Sequence, residues 1–284
     1  MTAPVIDMRS RPSFLHDFYG ANPGSPAHGV VQWLGGRVGA RDPLHFERSR
    51  DADAFVAEVR ESGIAKAVVV GRDPPAVRHS NDEIHALVAG RPALVGIGSV
   101  DVHGLGASAA QREVERAVKT LGLKAINLEP GWETPARRVD DASLFPVYEA
   151  CAALGVPVCL MSGPTAPSLE DVHPAAVGHV ARAFPALAIV CYHGFYPFVN
   201  EMIGVALRYA QVHVVADMYI FLPGGRLYVE AANGFMADQL LFGSSYPFRP
   251  MRQSVDDYLA LGLREDVIDR VMGGNAARVL GLGD

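Results

Sequence analysis

Cysteine is scarce in this chain of 284 residues, which has only Cys151, Cys159 and Cys191. The number is odd, the spacing is unpaired, and each lies inside an apolar run (EACAAL, VPVCLM, AIVCYH). That excludes a disulfide scaffold and points to reduced thiols packed as small hydrophobes in a cytoplasmic protein. An excess of positive charge is also missing: 25 Lys and Arg against 31 Asp and Glu give a formal charge of −6, with the two signs interspersed. Nucleic acid and anionic membrane surfaces are therefore not expected partners. No apolar run approaches the roughly 20 residues of a membrane span, and the N-terminal MTAPVIDMRSRP lacks the regions of a signal peptide. No GxGxxG follows a strand-like run and no GxSxG occurs, which sets aside a dinucleotide fingerprint and a nucleophile elbow.

What is present is a rhythm. Short apolar runs recur at Val5–Met8, Ile64–Val70, Ala93–Val100, Leu123–Asn127, Val156–Met161, Leu187–Cys191, Val212–Asp217 and Gln239–Phe242. After the first long gap they start about 25 to 35 residues apart, the length of a βα unit, and they are continuous rather than alternating, as strands buried on both faces require. Between them lie helical stripes such as Val199, Met202, Ile203, Ala206 and Leu207. Gly122, Gly155 and Pro185 stand just before strands, where a helix must stop. Eight strands in a chain close to the roughly 250 residues typical of the fold predict a single-domain (β/α)₈ TIM barrel over residues 1–284. Residues 9–50, rich in Gly, Pro and aromatics, form an extended loop between the first strand and its helix, suited to cover the site or join an oligomer contact. The segment after Pro250 reads as two capping helices, SVDDYLALG and EDVIDRVMGG.

In such a barrel the chemistry comes from the C-terminal strand ends. The residues there include Asp7, Arg9, Arg11, Arg72, Asp73, Asp101, His103, Asn127, Glu129, Met161, Ser162, Tyr192, His193, Asp217, Tyr219, Ser244, Ser245 and Tyr246. Among these His103 and Arg72, and His79 beyond them, read as surface loop residues. The segments VIDMRSRP, DDASLFPVYEACAALGVPV, IVCYHGFYPF, LLFGSSYPF and NAARVLGL resemble the amidohydrolase-related family that includes aminocarboxymuconate semialdehyde decarboxylase, aromatic-acid decarboxylases and lactone hydrolases. The resemblance runs over nearly the whole chain.

It implies a divalent metal held by a His-x-His pair ending the first strand, single His residues after the fifth and sixth, and an Asp after the eighth. Those positions carry Arg9 and Arg11, Met161, His193 and Ser245, so only the histidine remains and no metal or other cofactor is expected. Residues two apart on a strand share a face, which would place Asp7, Arg9 and Arg11 together. The expected catalytic set is His193 as general base, Arg9 and Arg11 as carboxylate or oxyanion binders, and Ser245, which lines the pocket or orients water. Asp7, Glu129, Met161, Tyr192, Asp217 and Tyr246 are the expected substrate-binding residues. The first functional expectation is a metal-independent hydrolase of a small carboxylated ester, lactone or cyclic amide. The second is a carboxy-lyase acting on an aromatic or unsaturated carboxylic acid, ranked lower because arginines stabilise the carboxylate to be lost. The third is a non-catalytic small-molecule binder. The resemblance also favours a homo-oligomer.

Overall fold

The computed structural model describes residues 3–283. Eight strands, β1 (Ile6–Ser10), β2 (Lys66–Val70), β3 (Leu94–Ser99), β4 (Ile126–Leu128), β5 (Val158–Leu160), β6 (Ile189–Tyr192), β7 (Val212–Val215) and β8 (Leu240–Leu241), form one parallel sheet in sequential order. The seam between β8 and β1 closes through Met8 N–H to Phe242 O at 3.0 Å and Ser245 N–H to Arg9 O at 3.1 Å. Arg11 N–H to Tyr246 O, at 3.0 Å, completes it. The chain is a (β/α)₈ TIM barrel.

Two apolar clusters hold it together. Inward side chains such as Ile6, Met8, Val68, Ile97, Cys159, Val190, Tyr192 and Leu241 fill the barrel, and outward ones such as Ala67, Val69, Leu160, Cys191 and Leu240 pack under the helices. This inside–outside alternation is the period-two reading of each strand. All three cysteines are buried and free, and burial pushes their thiols above the ordinary range. Gly155, with φ +67, caps the helix Phe145–Leu154 before β5, and Gly122, with φ +69, stands in the turn before β4. Among the described residues no helix is long and apolar enough to cross a membrane.

Two expectations need correction. The first strand runs to Ser10, and its register against β2 slips between Asp7 and Ser10. This bulge breaks the simple alternation, so Asp7 does not share a face with Arg9 and Arg11. The C-terminal segment is not simply two capping helices. The helix Met251–Leu259 packs on the side of the barrel, with Tyr258 edge-on to Phe242 at 4.8 Å. The next helix, Glu265–Asp269, passes through a π turn at Arg270–Gly274 into the helix Asn275–Val279, whose Ala276, with Leu280 just after it, joins the inner cluster. The 9–50 excursion holds short 3₁₀ turns and the helix Pro26–Arg37, begun by Ser25, whose side chain accepts from His28 N–H.

Gly243 marks how tightly the seam closes beneath the mouth. A Cβ there would lie 2.6 Å from Val215 Cγ1, 3.4 Å from Asp217 Cβ and 3.6 Å from Arg9 Cβ. Gly243→Ala is therefore expected to destabilise the protein by about 1–3 kcal/mol. Denaturant midpoints of the two proteins check this, and an unchanged midpoint contradicts the close packing.

Candidate active site

The mouth of the barrel is built around charge. Arg11 leaves the end of β1 with Nε donating to Val70 O at 3.1 Å and Nη2 donating to Glu129 Oε1 at 2.9 Å. Burial, with Arg9 and Arg72 nearby, pushes Arg11 down to about 10, so it remains a cation at neutral pH. Arg72 follows β2 and grips the same carboxylate with Nε, at 3.0 and 2.9 Å from the two oxygens, and with Nη2. Asn127 on β4 donates to Glu129 Oε1 at 3.0 Å. Burial alone would disfavour the Glu129 charge, but Arg72 and Arg11 outweigh it and hold the carboxyl down at about 2. Burial likewise opposes the Arg72 charge, and Glu129 overcomes it and raises Arg72.

Arg9 is held differently. Its Nη1 donates to Ser245 Oγ at 2.6 Å, its Nη2 finds only Met161 Sδ at 3.7 Å, and its buried Nε has no hydrogen-bond partner. The nearest carboxylate is Asp217, at 3.9 Å. A guanidinium is built to donate five hydrogen bonds, so this one, which lines the cavity, retains unused capacity.

Asp217 is engaged elsewhere, with its oxygens 3.0 and 2.9 Å from His193 Nδ1. That contact places the proton of a neutral imidazole on Nδ1 and leaves Nε2 as the lone-pair atom, without a protein partner among the described residues. Burial first and Arg9 second push His193 down to about 4 against the pull of Asp217, so the imidazole is neutral at pH 7. Tyr219 lies edge-on to the ring at 4.8 Å. Gly163 leaves room for it, since a Cβ there would lie 3.3 Å from His193 Cδ2. His193, Phe195, Asp217 and Ser245, all just beyond β6, β7 and β8, have left-handed backbones with φ of 59°, 53°, 41° and 64°. Strain of this kind is on the order of 1–3 kcal/mol per residue and collects where side chains must be aimed.

Arg9, Arg11, Arg72, Met161 and His193 line one cavity of roughly 320 Å³, walled by Phe18, Trp33, Trp132, Tyr219 and Phe248 among others. Glu129 and Asp217 stand behind it as counter-charges. Tyr192, expected to touch substrate, does not line it: the side chain is fully buried in the barrel beneath Arg9, with its ring 5.9 Å from the guanidinium and its hydroxyl donating to Met8 O at 3.0 Å. Ser245 lies beneath Arg9 and does not line the cavity. Asp7 is also away from it, bound by Ser244 Oγ and by Ser244 N–H at 2.8 Å; burial raises its carboxyl to about 6. Tyr246 turns out of the barrel, its hydroxyl 2.7 Å from Ser49 Oγ and 3.0 Å from Glu58 Oε2, because the left-handed turn at Ser245 sends the next side chain toward the helix Ala52–Glu61. Arg72 and His79 are 6% and 4% exposed and so are not surface residues, whereas His103 is exposed. The cue for Arg72 was its place just beyond the end of a buried strand, like that of Arg11.

The positions expected from the resemblance do not fit a divalent metal. Arg9 and Arg11 have no lone pair to donate, Met161 and Ser245 are turned to the Arg9 guanidinium, and His193 Nε2 is left alone among three cations. Among the described residues no group of three or more His, Cys, Asp or Glu side chains converges to hold a metal ion.

The chain is 26% identical over 242 residues to the 2-amino-3-carboxymuconate-6-semialdehyde decarboxylase of Dictyostelium discoideum. The match covers 72% of this chain and spans 66% of the relative's length. An uncharacterized TIM-barrel protein of Bordetella bronchiseptica superposes with a TM-score of 0.89 at 29% identity, covering 98% of each chain. The 5-carboxyvanillate decarboxylase of Sphingomonas paucimobilis superposes with a TM-score of 0.66 at 18% identity, over 99% of this chain and 100% of its own, and shares the barrel.

Removing the charge of Glu129 tests the ion network. Glu129→Gln leaves two buried guanidinium groups without their anion and is expected to cost about 3–5 kcal/mol. The folded pKa of about 2 lies below the ordinary 4.5, so this contribution is complete above pH 4.5 and is lost as pH falls toward 2. Denaturation of both proteins between pH 7 and 3 should show the gap narrowing on the acid side. Residues 27–282, which carry every member of the network except Arg11, match the family described as Amidohydrolase, and the chain belongs to the amidohydrolase family.

Proposed function

We propose that this protein is a carboxy-lyase that removes carbon dioxide from a small, planar, aromatic or unsaturated carboxylic acid. The observation that carries the reading is the under-bonded Arg9 guanidinium in one cavity with His193, walled mainly by aromatic and aliphatic side chains. Such a cavity suits a flat apolar body with one strongly anionic edge. The decarboxylase activity of the Dictyostelium relative supports the choice of reaction.

Arginine would hold the oxygen that receives electrons, and the departing carboxylate would face the apolar wall of Trp33, Trp132 and Phe248, where poor solvation favours loss of charge. This arrangement answers the objection that the arginines stabilise the carboxylate to be lost. The carbon–carboxylate bond breaks, carbon dioxide leaves, and the electron pair spreads onto a conjugated oxygen beside Arg9. His193 Nε2 then delivers a proton to the vacated carbon and regains one from solvent. An anionic substrate counters the Arg9 charge that depresses His193, which makes the imidazole easier to protonate once the cavity is filled.

A second reading, hydrolysis of a carboxylated ester, lactone or cyclic amide, is favoured by one observation. His193 is a neutral imidazole oriented by a carboxylate, which suits it to deprotonate water.

Turnover of a panel of aromatic and unsaturated acids and lactones, with chelator present, separates the two. Release of carbon dioxide with one solvent deuterium on the product carbon supports the lyase. Incorporation of water oxygen without carbon dioxide supports the hydrolase, and activity that vanishes with chelator and returns with metal overturns both. His193→Ala is expected to lower kcat/KM by roughly 10²–10⁴-fold. The pH profile carries the sign: a lyase that needs protonated His193 loses kcat as pH rises, whereas a hydrolase that needs the neutral ring loses kcat/KM as pH falls toward about 4.

A further inference from the structure

Asp7 lies outside the cavity and has no part in the chemistry above, yet it is a costly residue to keep. It is fully buried, no cation pairs with it among the described residues, and Asp217 is near enough to disfavour its charge. A buried carboxylate without a counter-ion is unfavourable unless the hydrogen bonds it accepts do something a neutral side chain would not.

Three donors meet this carboxylate from the two sides of the barrel seam. Arg9 N–H at 3.0 Å and Ser244 N–H at 2.8 Å both donate to Oδ1, and Ser244 Oγ donates to Oδ2. Ser244 Oγ also accepts from Tyr246 N–H at 3.1 Å, so the chain of bonds runs from β1 into the turn that follows β8. That turn carries Ser245 in its left-handed conformation, with φ 64°. Ser245 N–H donates to Arg9 O at 3.1 Å, and its Oγ receives Arg9 Nη1 at 2.6 Å. Asp7 therefore fixes both ends of the Arg9–Ser245 bond: the peptide from which the arginine side chain departs, and the turn on which it rests. An arginine side chain has much rotamer freedom to lose, and holding it beforehand spares a ligand that cost.

We propose that Asp7 is a positioning residue for Arg9, which through Ser244 and the left-handed Ser245 holds the guanidinium in the conformation that offers its unused donors to an anion. This role rests on the reading of Arg9 as the anion-binding group. Its sign differs from that of simple electrostatics. Asp7 and the bound anion repel each other, so charge alone makes anion affinity rise when Asp7 is neutralised, whereas loss of positioning makes it fall. Arg9 on β1, Ser244 after β8, Asp217 after β7 and Tyr258 on the helix Met251–Leu259 face Asp7. Burial holds the Asp7 carboxyl up at about 6, so its grip weakens as pH falls through that value. His193, held down at about 4, gains its charge later, and that charge would tighten anion binding.

The test is calorimetric titration with benzoate at pH 7.5 and pH 5.5, on either side of about 6. In the unaltered protein the Kd is expected to weaken roughly threefold or more at the lower pH. Asp7→Asn is expected to weaken it roughly fivefold or more at pH 7.5 and to abolish the pH dependence. Asp7→Asn combined with Ser245→Ala should weaken binding no more than the stronger of the two alone, because both act on one bond. Thermal unfolding of each variant at both pH values shows that it is folded. Should Asp7→Asn not fold, Ser244→Ala, which cuts the link and keeps the Asp7 charge, takes its place with the same expected weakening, and the pH profile of the unaltered protein stands beside it. Affinity that holds or rises on Asp7→Asn or at pH 5.5, or costs that add between Asp7→Asn and Ser245→Ala, overturns the positioning role. No benzoate binding, or a Kd that Arg9→Met leaves unchanged, overturns the anion-binding reading of Arg9 and this role with it. A Kd weakened by Arg9→Met but not by Asp7→Asn overturns the positioning role alone.

Discussion

One buried carboxylate determines what the mouth of this barrel can be. Glu129 stands fully buried just beyond β4 between the forks of Arg72 and Arg11, and Asn127 adds a further hydrogen bond. Without it the loops after β1 and β2 would place two cations in a poorly solvated space with no anion, an arrangement of high electrostatic cost. With it, two of the three arginines become framework. The third, Arg9, is left with a serine oxygen and a thioether, and so remains the cation available to a ligand.

The division of labour follows the strand order. On the side of β1, β2 and β4 the charges are fixed by one another. On the side of β6, β7 and β8 the imidazole and its orienting carboxylate face each other across neighbouring strand ends, and Tyr219 is placed against the ring. Two arginines, a methionine and a serine at the positions where the resemblance implies metal ligands change the electrostatics without removing the positive potential. What a dication would offer as a point charge is offered here by a planar fork with directional donors, which selects for flat oxyanions.

Much of this was legible in the sequence, because it depends on periodicity and on residues that follow strands. The eight apolar runs marked every strand to within a few residues, and Arg9, Arg11, Met161 and His193 do meet in one cavity. The failures have specific physical causes. Asp7 was placed with Arg9 by strict alternation, and a bulge broke that alternation. Tyr246 was expected on the pocket wall, but the left-handed residue before it redirects its side chain, and handedness at a serine has no sequence signal. Arg72 and His79 were read as exposed because they sit in a loop, yet the loop folds inward under the 9–50 excursion, with Arg72 over the Phe18 ring at 5.3 Å. Loop packing of that sort depends on contacts between distant segments, which local pattern does not encode.

The left-handed residues beyond β6, β7 and β8 bear on how this protein can change. Glycine would relax the backbone at each of them, and general stabilisation by substitution would be drawn to such positions. Three of the four, His193, Asp217 and Ser245, carry the side chains that hold or orient the site's polar atoms. Relaxing them deletes the arrangement they hold, so only Phe195 offers relief that spares it. The tension in this part of the barrel is thus locked to its chemistry, and variants selected for robustness alone should drift toward an intact barrel with an empty, silent mouth.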